Sequence, residues 1–204
     1  MNEVVAIVGI FKSGSSILAQ IVEALGVYMG RYDDYHIEDK TIAHYEKEED
    51  TEWLIEYLEE MQKKHELIGF KHNLLYEFVP IIKDKMDFKF LYIFRDPVAV
   101  MVNNHMALYR WYKKSEKTDY KGTIIEFLKT QIKAIEKSKN ADSLFVSYEK
   151  LLLFPRRTIK EIANFLKIDV TEDKVTEIAK LVIPEWEQNE DLLEAKMKQI
   201  KEGR

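Results

Sequence analysis

The stretch Val4–Gly26, VVAIVGIFKSGSSILAQIVEALG, decides how the rest of the chain is organised. Val4 to Val8 is a short, wholly apolar run between Glu3 and Gly9. Its β-branched residues show no polar alternation, which predicts a strand buried on both faces. A loop of small residues follows, Gly9-Ile10-Phe11-Lys12-Ser13-Gly14-Ser15-Ser16. Ile17, Leu18, Ile21, Val22 and Leu25 then recur at helical spacing, and Gly26 is placed to end the helix. Strand, Gly/Ser loop and helix make a build suited to phosphate-like groups. Glycine lets the backbone approach an anion, and the N–H groups and dipole at a helix start favour negative charge.

The loop comes close to the P-loop pattern G-x-x-x-x-G-K-[ST]. Gly9, Gly14 and Ser16 fit it, but Ser15 stands where the lysine should be. The cation is Lys12, two residues before the second glycine. A nucleoside triphosphatase needs its lysine on the terminal phosphates and a hydroxyl on magnesium. A lysine moved to the middle of the loop suits a different leaving group. The plainer alternative is a structural loop with a solvated Lys12.

The chain has 204 residues, enough for one domain that buries roughly 70% of its unfolded surface. Apolar content of 46% and charged content of 33% point to a globular protein. A net charge of −5 argues against bulk attraction to nucleic acid or an anionic membrane, while leaving room for local basic pockets. There are no cysteines, which excludes disulfides, thiolate metal sites and a cysteine nucleophile. Met1-Asn2-Glu3 lacks the basic start of a signal peptide, and no apolar run approaches the ~20 residues of a membrane span. The expectation is a cytoplasmic protein.

Val27 to Lys40, rich in tyrosine and charge, reads as a loop, and the acidic stretch from Thr41 to His65 as one or two helices with a wet face. Leu67–Lys71 and Phe88–Phe94 read as strands, the second strongly so from its aromatic residues. Between them Leu75 to Lys85 reads as a helix broken or started near Pro80. Arg95-Asp96-Pro97 follows the second of these strands, with Asp96 as N-cap and Pro97 opening a helix to about Lys114. Further helices are expected over Gly122–Lys139, Pro155–Leu166 and Thr171–Ile183, with a short buried strand over Leu144–Ser147. The tail Trp186–Arg204 is helical in character and highly charged, with a loose end. Strands alternating with helices predict an α/β fold with a short central parallel sheet and right-handed crossovers. Ligands then sit beyond the carboxyl ends of the strands, where Lys12, Lys71 and Arg95 converge.

Phe11-Lys12-Ser13-Gly14-Ser15-Ser16 resembles the 5′-phosphosulfate loop P-[KR]-S-G-[ST]-[ST] of the sulfotransferases, with Phe11 in place of proline. Arg95-Asp96-Pro97 with Asn103 resembles their R-[DN]-P-x-[DE]-x-x-x-S pattern, with Asn103 in place of serine. Tyr148-Glu149-Lys150-Leu151, then Pro155 and Asn164-Phe165-Leu166, resembles their Y-E-[DK]-L, proline and F-L-G ending, with Lys167 in place of glycine. The resemblance spans Val4 to about Leu166. It implies a P-loop-like three-layer fold and a single domain over 1–204. It also implies 3′-phosphoadenosine 5′-phosphosulfate (PAPS) as co-substrate, held by Lys12, Ser13, Gly14, Ser15, Ser16, Arg95 and Asn103. Tyr148 has two readings, a polar core residue or a border to the adenine.

The implied reaction is in-line sulfuryl transfer to a hydroxyl or amine of a small-molecule, glycan or peptide acceptor. Lys12 would meet the charge growing on the leaving nucleotide, and Lys71 the sulfuryl oxygens, so no metal is required. For the proton, Glu38 in the stretch Tyr35–Lys40 is the first candidate base, His36 the second and His72 the third. Asp39 and its acidic neighbours could equally cap the next helix. Two other functions stay open, a P-loop-type nucleotide or nucleoside kinase and a non-catalytic domain that binds PAPS or its desulfated product, 3′,5′-adenosine bisphosphate (PAP).

Overall fold

The unbroken apolar run at the start of the chain forms strand β1 (Val4–Gly9), and every residue of it is buried. The structure is a computed structural model describing residues 3–10, 12–30, 42, 51–72, 75–103 and 120–182. Helix α1 (Ser15–Ala24) follows the loop, and Gly26, at φ 102°, supplies the left-handed residue that closes it. Then come α2 (Thr51–Gln62), β2 (Ile68–His72), a 3-10 turn (Leu75–Glu77), α3 (Val79–Ile82) and β3 (Phe88–Phe94). The chain continues through α4 (Pro97–Asn103), α5 (Tyr120–Lys137), β4 (Ser143–Ser147), α6 (Tyr148–Leu153), α7 (Pro155–Phe165) and α8 (Glu172–Ala179).

The four strands lie in the order β2-β1-β3-β4, and every neighbouring pair is parallel. Alternate residues face opposite sides of a strand, so each strand feeds two cores. Val5, Ile7, Leu91, Ile93 and Val146 pack against α1, α7 and α8 on the first face. Val4, Ala6, Val8, Phe70, Phe90 and Tyr92 pack against α2, α3 and Ala134 of α5 on the second. This is the three-layer α/β arrangement expected. The chain leaves β1 toward the first face and β3 toward the second. The carboxyl ends of these adjacent strands therefore bound a crevice at a topological switch point.

Two details differ from expectation. The strand at Leu144–Ser147 is not a buried one: β4 is the sheet's edge, and Phe145 is 46% exposed although it stacks on Tyr92 and Phe94. An apolar run marks a strand without saying whether a neighbour covers both sides. The break expected near Pro80, by contrast, is found: Leu75–Lys85 divides into the 3-10 turn and α3, because Pro80 has no N–H to continue a helix begun before it. Helix α6 was not anticipated; its six residues are too few for a period, and Ser147 caps it by accepting from the Lys150 N–H at 3.1 Å.

The 3-10 turn and α5, packed on the same face of the sheet, are tied by charge. Glu77 of the 3-10 turn accepts from the ammonium groups of both Lys133 and Lys137 of α5. Burial raises its carboxyl pKa, but the two lysines outweigh burial and hold it below the ordinary value. A carboxylate depressed on folding stabilises the fold above its unfolded pKa of about 4.3, and loses that contribution as pH falls through the folded value. Glu77→Gln is therefore expected to cost on the order of 1 kcal/mol at neutral pH in urea denaturation. As pH falls below that unfolded value and through the lower folded one, the gap between variant and parent should narrow and close.

Candidate active site at the carboxyl edge of the sheet

Gly9 ends β1 where the chain must turn at once into α1. A Cβ on Gly9 would lie 2.4 Å from the Cβ of Ser15, so only glycine allows this approach. The turn is tight: the Ser13 N–H donates to the Ile10 carbonyl at 2.9 Å, and Lys12 and Gly14 hold φ values of 66° and 98°. For a lysine such a conformation costs roughly 1–2 kcal/mol, so the loop around it must hold it there. Gly14 caps α1 without a side-chain hydrogen bond. The first-turn N–H groups of the helix thus face the loop's concave side with no partner within the helix. Ser13 is 0% exposed, and its hydroxyl has no hydrogen-bond partner among the described residues.

The neighbouring strands bring the other cations. Lys71 pairs in register with Ile7, on the α1 side of the sheet. It is only 2% exposed, and its Nζ donates to the Ser16 hydroxyl at 3.2 Å, in the first turn of α1. His72, the next residue along the strand, is also buried but belongs to the opposite face.

Arg95 follows β3. Its carbonyl accepts from Gln131 Nε2 at 2.8 Å, and the next N–H, of Asp96, donates to Glu149 Oε1 at 2.8 Å. Asp96 caps α4 as expected, its Oδ1 accepting from the Ala99 N–H at 2.7 Å. The guanidinium carbon of Arg95 lies 4.4 Å from the centre of the Tyr148 ring, and its Nε is buried without a partner among the described residues. The same ring borders the phosphate-type loop: a Cβ on Gly14 would fall 2.4 Å from Tyr148 Cδ2. The loop after β1 and the arginine after β3 thus meet across one aromatic side chain.

The chain matches the family model described as "Sulfotransferase domain" over residues 2–202. It belongs to the sulfotransferase domain family. No curated protein matches it by sequence. Among solved structures it is similar to mouse sulfotransferase SULT7A1 complexed with PAP, at 18% identity and a TM-score of 0.59, covering 90% of this chain and 65% of that one. It is also similar to retinol dehydratase in complex with androsterone and inactive cofactor PAP, at 19% identity and TM-score 0.55, with 93% and 66% covered. A third likeness is to a sulfotransferase from Alicyclobacillus acidocaldarius, at 14% identity and TM-score 0.51, with 85% and 88% covered. At these identities the likeness shows the fold. The chain spans slightly under two thirds of the length of the first two.

Against the sulfotransferase motifs, Lys12, Ser13, Gly14, Ser15, Ser16, Lys71 and Arg95 come to one edge of the sheet. Glu38 and His36 lie outside the described residues, as does Phe11, and the Asn103 side chain is not among those described. Tyr148, read as either core or border, is half-buried and sits between the loop and the arginine. Gln131 and Glu149 went unread as parts of the site, because each acts on backbone far away in sequence, which no local pattern reveals. Among the described residues, no helix is long and apolar enough to cross a membrane.

Gly14→Ala is expected to damage this site twice over, through its positive φ and through the Tyr148 ring. Nucleotide affinity measured by calorimetry should fall by about tenfold or more, while Gly26→Ala, equally left-handed but open around its Cα, should lower only the melting temperature.

Proposed function

We propose that this chain is a PAPS-dependent sulfotransferase that moves a sulfuryl group to an acceptor hydroxyl or amine. One observation carries the reading: the Gly/Ser loop and Arg95 both border Tyr148, so one nucleotide can span from the loop to the arginine. Two buried donors without partners among the described residues, the Ser13 hydroxyl and Arg95 Nε, lie on these two segments. Buried donors need acceptors, and a ligand with an anionic group at each end supplies both. The fold likeness to PAP complexes agrees with this.

The 5′-phosphosulfate belongs in the loop, against the first-turn N–H groups of α1 and Lys12. The 3′-phosphate belongs at Arg95, with Asn103 beside it. Transfer breaks the bond between sulfur and the bridging oxygen of the 5′-phosphate and forms one to the acceptor oxygen or nitrogen. The acceptor's proton leaves to a base, for which Glu38, His36 and His72 are the candidates. Lys12 meets the charge left on the nucleotide. Lys71, fixed by strand β2 and by Ser16, steadies the sulfuryl oxygens. Positioned charge supplies most of such catalysis.

Lys12→Ala is expected to lower turnover by roughly 10² or more; a loss of less than about threefold would remove Lys12 from the chemistry. Arg95→Ala should weaken PAP and leave 5′-AMP affinity almost unchanged in calorimetry. Equal parental affinity for PAP and 5′-AMP would refute a 3′-phosphate site, and tight magnesium-dependent ATP binding would replace the reading with a kinase.

A further inference from the structure

We infer that Ser147-Tyr148-Glu149, at the corner between β4 and α6, is a positioning clamp that aims Arg95, and that Tyr148 acts in it through its ring rather than its hydroxyl. This rests on the reading of Arg95 as the 3′-phosphate anchor.

Arg95 follows the last residue of β3, on a connection with no sheet hydrogen bonds of its own to hold it. Its backbone is fixed from two sides instead. Gln131 of α5 holds the Arg95 carbonyl, and Glu149 holds the next N–H. Glu149 is itself oriented, because its other oxygen accepts from the Ser147 hydroxyl at 2.9 Å. Ser147 in turn accepts from the Lys150 N–H, which locks the hydroxyl to the start of α6. Register places Ser147 beside Phe94, the residue before Arg95. The clamp therefore grows from the strand directly alongside.

The side chain is aimed by Tyr148. A guanidinium 4.4 Å from a ring centre is in the range of cation–π attraction, which matters most where water is excluded. The Tyr148 edge Cδ2–Cε2 faces the space a Gly14 side chain would fill. The ring thus sets the distance between the loop and the guanidinium. A flat apolar spacer with a cation on its face needs no hydroxyl.

The test compares PAP with 5′-AMP by calorimetry, and KM for PAPS with kcat, across variants whose melting temperatures are recorded. Arg95→Ala serves as reference. Tyr148→Phe keeps the ring and should hold the PAP-to-AMP affinity ratio within about threefold of the parent. Tyr148→Leu keeps apolar bulk beside Gly14 but offers no face to the guanidinium. It should lower the ratio by about tenfold and raise KM for PAPS more than it lowers kcat. Glu149→Gln retains an acceptor for the Asp96 N–H and should keep most of the ratio, whereas Glu149→Ala should lose it without unfolding the protein.

If Arg95→Ala loses the discrimination while Tyr148→Leu and Glu149→Ala both keep it, the clamp is refuted and the anchor stands. If Tyr148→Phe loses as much as Tyr148→Leu, the hydroxyl is what matters and the spacer role is wrong. If Arg95→Ala keeps the discrimination, the anchor itself has failed and the clamp falls with it. Should Tyr148→Leu fail to fold, the Glu149 pair decides.

Discussion

Gly9 carries no side chain, and so α1 can start in contact with the strand it follows. That close approach sets the rest of the edge. Because β1 is flanked by β2 and β3, the start of α1 lies between what those two strands deliver. Lys71 comes from β2 and reaches Ser16; Arg95 comes after β3 and reaches Tyr148 beside Gly14. A side chain at Gly9 would push the helix away and separate these groups together. The cost of the tight turn is local, a left-handed Lys12 and a buried Ser13 hydroxyl that finds no partner among the described residues. Strain and unsatisfied donors of that kind concentrate where a ligand completes the structure.

The parts of this arrangement that are legible in the sequence are those written in consecutive residues. The Val4–Val8 run, the Gly9–Ser16 loop and the Arg95-Asp96-Pro97 start each carry their physics within one short window, and each forms the element expected. What escapes is what depends on distant partners. Glu149 matters through the backbone of Asp96, and Gln131 through the carbonyl of Arg95. Nothing near Gln131 marks it as more than a solvated polar side chain, and the motif that contains Glu149 does not say which backbone its carboxylate holds. The exposed side of β4 escapes for a similar reason, since edge or centre is decided by strand order. Tyr148 falls between the two cases: its motif is local, but its position between two distant segments exists only in the fold.

The departure at Lys167 shows how a local rule is met by distant means. The family motif has glycine after its F-L, where a left-handed residue ends the helix. Here Lys167 adopts φ 57° itself. Its ammonium pairs at 2.8 Å with Glu3, a carboxylate only 5% exposed at the start of β1. A buried carboxylate without a partner would be costly, so the conformation that glycine adopts freely is offset by a contact glycine cannot make. The same lysine links the end of α7 to the first strand. Ion pairs such as Lys129–Glu126 and Lys174–Glu177, by contrast, are exposed neighbours within one helix and contribute little.

The same logic separates this loop from a nucleotide kinase's. In a P-loop, the lysine precedes a hydroxyl residue that binds magnesium, so loop and metal share the phosphate charge. Here the preceding residue is Ser15, buried against Gly9, and the hydroxyl of Ser16 accepts from Lys71. A fixed ammonium from the adjacent strand thus stands beside the hydroxyl that would otherwise face a metal. A divalent cation there would have to sit against a like charge in a place largely closed to water, where repulsion is screened least. An anion meets the opposite situation, because Lys71 stands at the helix start, where the first-turn N–H groups already favour negative charge. The positive charge has moved from a metal and a loop lysine to two lysines on separate elements, in an otherwise acidic protein. On the reading proposed above, such a site favours a ligand that arrives with its charge unneutralised, as a phosphosulfate does, over one that arrives already paired with magnesium.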